Sequence, residues 1–372
     1  MSLLPKPKPE VENLKICPHG GPNWAELEAM GLTPEEVIDF SVNSNPFPPP
    51  PGIKEIFDTI VIDRYPDSES TELKHCLSEK LGVAPDNILA GSGSMELIRL
   101  IATTYFGRGD SVLILEPTFG EYEIACQVVG AKILKQWGKT EDYFAFRMEE
   151  TASTIRQCRP RGIFICNPNN PTGQYLSQPQ VEMVLDSSRD SLFILDEAYI
   201  AFTEGSWRSA DLISRGNVII LRSMTKDYAL AGLRLGYAIA SQEIIQNLRK
   251  VCPPWNVNVV AQKAGVIALK NTKYIKRCEL NIKQAKQFLT DELCRLGFTV
   301  VPSKTNFFLI EVASAKAFHT ALLRHGMLVR DCTSFGLPEY IRIAPRTMPE
   351  CRKLIATIEA LKGKGESGTS TG

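Results

Sequence analysis

The sequence predicts an α/β protein: a large, mostly parallel seven-stranded sheet domain followed by a small α+β domain. Three observations predict it. Seven short apolar runs, at 87–90, 111–115, 131–136, 162–166, 192–195, 218–221 and 237–240, each end in polar or glycine turns. Helical patterns at 95–105, 120–129 and 178–188 fall between them, the rhythm of strand–helix–strand units. After Cys252-Pro253-Pro254 the character changes. Long helices at 258–269 and 274–296, short strands at 299–301, 307–311 and 340–343, and helices at 315–325 and 349–361 describe a smaller unit.

Upstream of the sheet, the first fifty residues read as an arm. Pro5, Pro7 and Pro9 disfavour helix, and Pro48-Pro49-Pro50-Pro51-Gly52 favours extended polyproline geometry. The expected division is an arm over 1–45 that packs with the small domain, a large domain over 46–262, a small domain over 263–362 and a disordered tail over 363–372. No internal repeat is present.

Composition narrows the function. Lys plus Arg and Asp plus Glu are both 42, so no global field attracts nucleic acid or an acidic membrane. An anionic ligand must be held by local arginines and backbone amides. Ten scattered cysteines form no C-x-x-C pair, and the four histidines do not cluster with them in sequence, so spacing predicts no metal site and no disulfide framework. The first ten residues lack the apolar core of a signal peptide, and no apolar run is long enough to span a bilayer. A cytoplasmic location is expected.

The chemistry is carried by segments at strand ends, where ligands bind in such sheets. Ser223-Met224-Thr225-Lys226 is followed by Arg234 within Gly232-Leu233-Arg234-Leu235-Gly236. Two hydroxyls and a guanidinium beside a lysine suit a phosphate dianion held next to a reactive amine. Gly91-Ser92-Gly93-Ser94-Met95 opens a helix whose free amides, at Ser94 and Met95, can receive the same phosphate; alone it is also an ordinary tight turn. Asp196 ends an apolar run, where it can pair with a pyridine nitrogen or simply cap the strand. Asn170 and Tyr199 can hydrogen-bond a ring oxygen, and Phe119 can stack on a ring or serve as core. Together these segments point to pyridoxal 5'-phosphate (PLP) bound covalently through Lys226, with Lys226 and Asp196 catalytic.

Asn167-Pro168-Asn169-Asn170-Pro171-Thr172-Gly173, Asp196-Glu197-Ala198-Tyr199 and the Ser223–Arg234 segment together resemble the fold-type-I PLP enzymes of the aminotransferase class I/II superfamily, over nearly the whole chain. Arg64-Tyr65-Pro66-Asp67, Gly91 to Glu96 and Ser303-Lys304-Thr305-Asn306-Phe307 resemble the branch that holds histidinol-phosphate aminotransferases and threonine-phosphate decarboxylases. The resemblance implies a homodimer with shared active sites, in which Tyr65 reaches the cofactor phosphate of the partner subunit. It implies substrate contacts at His19, Gly20, Asn43, Asn170, Arg330 and Arg342. Arg346 is added on charge alone, because a substrate with carboxylate and phosphate needs several cations. His19 alone could also be a mobile arm residue, and Arg330 and Arg342 surface ion pairs.

His19-Gly20-Gly21, the segment from Asp39 to Pro46, Trp255-Asn256-Val257-Asn258 and Arg342 resemble the decarboxylases more than the aminotransferases. The expected reaction is therefore decarboxylation of O-phospho-L-threonine to (R)-1-amino-2-propanol O-2-phosphate, a step of cobalamin biosynthesis. Amino transfer from histidinol phosphate, or another phosphorylated amine, is the alternative. The two differ in which bond at the substrate's α-carbon is held for cleavage.

Overall fold

A computed structural model describes residues 5–12 and 14–363. Twelve strands run through them in chain order: β1 Ile38–Asp39, β2 Ile88–Gly91, β3 Ser111–Glu116, β4 Lys132–Trp137, β5 Gly162–Cys166, β6 Leu192–Asp196, β7 Val218–Ser223, β8 Gly236–Ile239, β9 Phe308–Glu311, β10 Met327–Leu328, β11 Arg330–Asp331 and β12 Tyr340–Ile343. β2 to β8 form one seven-stranded sheet in the order β2-β8-β7-β6-β5-β3-β4. Every pairing from β7 to β4 is parallel, and β8 alone runs against its neighbours. The central strands are buried on both faces, which is why their sequences are continuous apolar runs rather than alternating ones.

Helices cover both faces of the sheet. On one side Ser94–Tyr105 buries Leu97, Ile98, Leu100, Ile101 and Ala102. On the other, Thr71–Leu81 buries Leu73, Leu77 and Leu81, one every fourth residue, and packs against Val259–Lys270. Each such leucine contributes roughly 1.5–3 kcal/mol of burial. The helices Thr71–Leu81, Met148–Cys158 and Gln242–Val251 were not among the expected elements. Their charged outer faces dilute the apolar pattern to one thin stripe.

Four expectations are corrected. A division at 262/263 cuts the helix Val259–Lys270, whose buried residues Ala261, Ala264, Val266, Ala268 and Leu269 belong to the large unit's core. The strand expected at 299–301 is a single bridge, Val300 to Ile310. The first fifty residues are not wholly extended. Pro9 begins the short helix Pro9–Glu12, at a position where the missing N–H has no intrahelical partner to lose. Asn23 caps Trp24–Ala29 by accepting from Ala25 N at 3.2 Å. The tail was expected from residue 363; Gly363 ends the last helix, and 364–372 lie outside the described residues.

The arm is stitched to the small unit. β1 pairs in parallel with β10, Leu27 packs on Leu323 and Leu328, and Phe40 enters the small unit's core. From there the chain turns back to the large unit, where Asn45 N donates to Lys226 O at 2.8 Å and Asn45 Nδ2 to Asp227 O at 2.9 Å.

Candidate active site

A cavity of about 380 Å³ opens where the carboxyl ends of the parallel strands meet the arm and the small unit. The ends of β5, β6 and β7 deliver Asn170, Asp196 and Lys226 to it, and the β2–helix turn delivers Ser94 and Met95.

Lys226 lies in the one-turn helix Met224–Asp227 and has no hydrogen-bonded acceptor for its amine among the described residues. Burial, then the charges of Arg342 and Arg234, lower its pKa to about 8, so roughly a tenth is unprotonated at pH 7, far more than for a free lysine. Asp196 is buried at the end of β6 and lines the same cavity. Burial raises its carboxyl to about 6, while Tyr122 Oη donates to Oδ2 at 2.7 Å and Ala198 N to Oδ1 at 3.0 Å, holding the ionised form. Tyr122 stacks on Phe164, centroids 4.8 Å apart, and Phe119 meets Tyr122 edge-on at 5.6 Å.

One end of the cavity is built for a phosphate. Gly93 has φ +77°, and a Cβ there would come 2.7 Å from the Arg234 guanidinium. Arg234 itself takes a left-handed φ of +58°, which turns its side chain toward the N-terminus of the helix Ser94–Tyr105. Thr225 lines the same end, its hydroxyl 2.6 Å from that of Ser223. Free helix-terminal amides, two hydroxyls and a guanidinium form a dianion cradle.

At the other end lie two arginines. Arg330 on β11 and Arg342 on β12 are direct cross-strand partners, so both project from one face of the small sheet. Both are buried, and neither has a carboxylate ion-pair partner among the described residues. Arg342 donates to Asn170 Oδ1 and, at 2.7 Å, to Ser41 O. Arg330 donates to Pro18 O at 2.6 Å and Ser334 Oγ at 2.7 Å. Burial disfavours the charge of both. Two like charges held side by side in a cavity wall, without a counterion, constitute a site for anions. Arg342 Nε and both amide atoms of the buried Asn43 lack partners and belong to side chains that line this cavity.

Most of the expected site residues converge here. Ser94, Met95, Phe119, Asn170, Asp196, Tyr199, Thr225, Lys226, Arg234, His19, Gly20, Asn43, Arg330 and Arg342 all line the cavity. Gly20 packs where a Cβ would lie 2.7 Å from Ser41 O, which fixes the arm's approach. Arg346 does not join them. β12 has ended at Ile343, and the side chain instead lies 3.9 Å from Glu350 of the following helix. Tyr65 is also outside the cavity; it is 76% exposed and stacks on Trp255 at 4.1 Å. Tyr122, Ser41, Ser334 and Cys17 were missed. Tyr122 is two residues past Gly120 on an expected helix, so only the convergence of that helix with β6 reveals it.

The expectation that histidines and cysteines stay apart needs one correction. Cys17 and His19 meet Glu121, with ligand atoms within 4.8 Å of one another. No helix among the described residues is long and apolar enough to cross a membrane.

The residues present fit PLP. A buried amine and a buried carboxylate both line the cavity, and groups suited to a dianion gather at one end. Residues 35–358 match the family described as "Aminotransferase class I and II". The chain is 33% identical over 371 residues to the histidinol-phosphate aminotransferase of Moorella thermoacetica, covering 97% of this chain and 94% of that one. It matches the crystal structure of histidinol-phosphate aminotransferase from Sinorhizobium meliloti in complex with pyridoxal-5'-phosphate, with TM-score 0.86 at 23% identity over 97% of this chain and 99% of that chain. It also matches L-threonine-O-3-phosphate decarboxylase from Porphyromonas gingivalis, with TM-score 0.77 at 25% identity over 87% and 99% of the two chains.

Proposed function

The chain belongs to the aminotransferase class I and II family, and from that premise we propose that it moves the amino group of a phosphorylated amine, histidinol phosphate first, to a 2-oxo acid. The reaction expected from the arm motifs was decarboxylation; the sequence relatives favour amino transfer instead. The observation that carries a doubly anionic substrate pair is the side-by-side placement of Arg330 and Arg342. One donor substrate bears a phosphate, and the acceptor 2-oxoglutarate bears two carboxylates. A pocket with two buried guanidiniums can serve both in turn.

PLP supplies an aldehyde for the substrate amine and a ring that accepts electrons from the bond broken at the α-carbon. The phosphate would be held by the amides of Ser94 and Met95, the hydroxyls of Ser223 and Thr225, and Arg234. Asp196 would hold the ring nitrogen protonated, and Tyr122 keeps Asp196 ionised for that purpose. Asn170 and Tyr199 would meet the ring oxygen, and Phe119 a ring face. Lys226, with roughly a tenth of its amine neutral near pH 7, would take the proton from the amine-bearing carbon of the substrate and hold it as an ammonium for its return. Arg342, oriented by Asn170 and Ser41, holds the α-carboxylate of the acceptor. The arm shields the reacting atoms from water, with Gly20 packed on Ser41.

A second reading, decarboxylation of O-phospho-L-threonine, is favoured by one observation. His19 and Gly20, from the motif that resembles the decarboxylases, stand in the cavity wall beside Arg330. Either reading takes a homodimer as the working form, with the exposed Tyr65–Trp255 stack facing the second copy. One experiment separates them. Holoenzyme is given histidinol phosphate with 2-oxoglutarate, and separately phosphothreonine alone. Glutamate formation in the first supports amino transfer. CO2 release in the second, without glutamate in the first, replaces it with decarboxylation.

A further inference from the structure

Cys17, His19 and Glu121 form a cluster that the amino-transfer chemistry does not use as a unit. Cys17 and His19 come from the arm, and Glu121 begins the helix Glu121–Val128 of the large unit. Their ligand atoms all lie within 4.8 Å of one another. His19 Nε2 is 3.0 Å from Glu121 Oε1. The Glu121 side chain is only 7% exposed, yet its second oxygen, Oε2, is buried without a hydrogen-bond partner. The nearest cation, Arg99 Nη2, stands 3.7 Å from that oxygen, too far for a hydrogen bond. A buried carboxylate oxygen without a hydrogen-bond partner, in a side chain clustered with a thiol and an imidazole, is an available ligand atom.

We infer that Cys17, His19 and Glu121 bind a thiophilic divalent cation, Zn2+ in the first instance, at the rim of the cofactor cavity. Sulfur, imidazole nitrogen and carboxylate oxygen are the donors zinc takes, at about 2.0–2.3 Å. Tetrahedral bonds of that length place donors roughly 3.3–3.8 Å apart, so a shift of about 1 Å from the present spacing closes the set. Three protein donors leave one position for water, as in open zinc sites. The bound ion would strap the arm to the large unit. It would also withdraw His19 from any substrate anion.

The test uses metal-stripped holoenzyme titrated with Co2+ and, separately, Zn2+. Expected are one equivalent of Co2+ bound with a thiolate-to-cobalt charge-transfer band, and displacement of that band by Zn2+. Cys17→Ser should lose the band, and Glu121→Gln should bind Zn2+ at least about tenfold more weakly. Cys158→Ser, at an exposed cysteine away from the cluster, should keep both. Retained cofactor absorbance in each variant shows that the fold is intact. Absence of a thiolate band, or a band and Zn2+ affinity unchanged in Cys17→Ser, overturns the inference. Both readouts are independent of which reaction the enzyme performs.

Discussion

The Tyr122 hydroxyl donates to Asp196 Oδ2 at 2.7 Å, and it does so wholly within the core, stacked on Phe164. Asp196 therefore keeps a charge in a place that resists charge. Burial drives its pKa up to about 6, and the Tyr122 bond is the largest opposing influence. Removing that bond in Tyr122→Phe should raise the pKa further, by about one unit for a charge-assisted bond of roughly 1.5 kcal/mol. The acid limb of kcat/KM should move to higher pH by that amount. An unmoved limb would show that Tyr122 serves packing alone.

Asp196→Asn should abolish turnover while stabilising the apoprotein. The folded pKa lies above the ordinary value of 3.8, so the folded state binds the extra proton between 3.8 and about 6. Stability from this group is thus lost as pH rises through that window, and its cost is fully present above it. Urea unfolding of the apoprotein should show a decline of on the order of 1–3 kcal/mol across pH 4 to 6 that is absent in the variant. Parallel stability curves for the two proteins would refute the burial argument.

Covalent capture of PLP by apoenzyme should follow the neutral amine of Lys226. Its pKa is lowered to about 8, so the capture rate should climb with pH and level off above that value. Lys226→Ala should lose roughly 10²–10⁴-fold or more of the activity. Borohydride reduction of the wild-type holoenzyme should fix the label on Lys226 alone. A label elsewhere removes the basis of the catalytic assignment.

Arg342→Lys should raise KM for 2-oxoglutarate by about 10²-fold or more, since a single ammonium cannot reach both Asn170 and Ser41 O and still present a fork to a carboxylate. Arg330→Lys should act more strongly on the phosphorylated substrate. Steady-state kinetics on each half-reaction distinguish the two arginines. Equal effects of both variants on both substrates would mean that the pair works as one undivided charge.

Much of this site could be read from the sequence because the chemistry sits at strand ends. Lys226, Asp196 and Asn170 each end or closely follow an apolar run, and a parallel sheet brings such ends together, while Arg234 stands just before the antiparallel β8, whose start lies at the same edge. The central strands were legible because burial on both faces leaves uninterrupted apolar runs. Tyr122 was not legible, because its role depends on where one helix crosses β6. Arg346 lies outside the cavity because the strand ends at Ile343, which a count of charges does not reveal. The Cys17–His19–Glu121 cluster joins residues about a hundred positions apart, beyond any local spacing rule. Helices such as Met148–Cys158 were hidden by polar outer faces.

Asn45 has a reach that goes past its own segment. By donating to the carbonyls of Lys226 and Asp227, it makes this part of the polypeptide a mechanical support for the reactive amine. Substrate preference and reactivity are therefore inherited together: exchanging the leader for one from a relative, to alter what is recognised, also resets the scaffold on which the nucleophile rests.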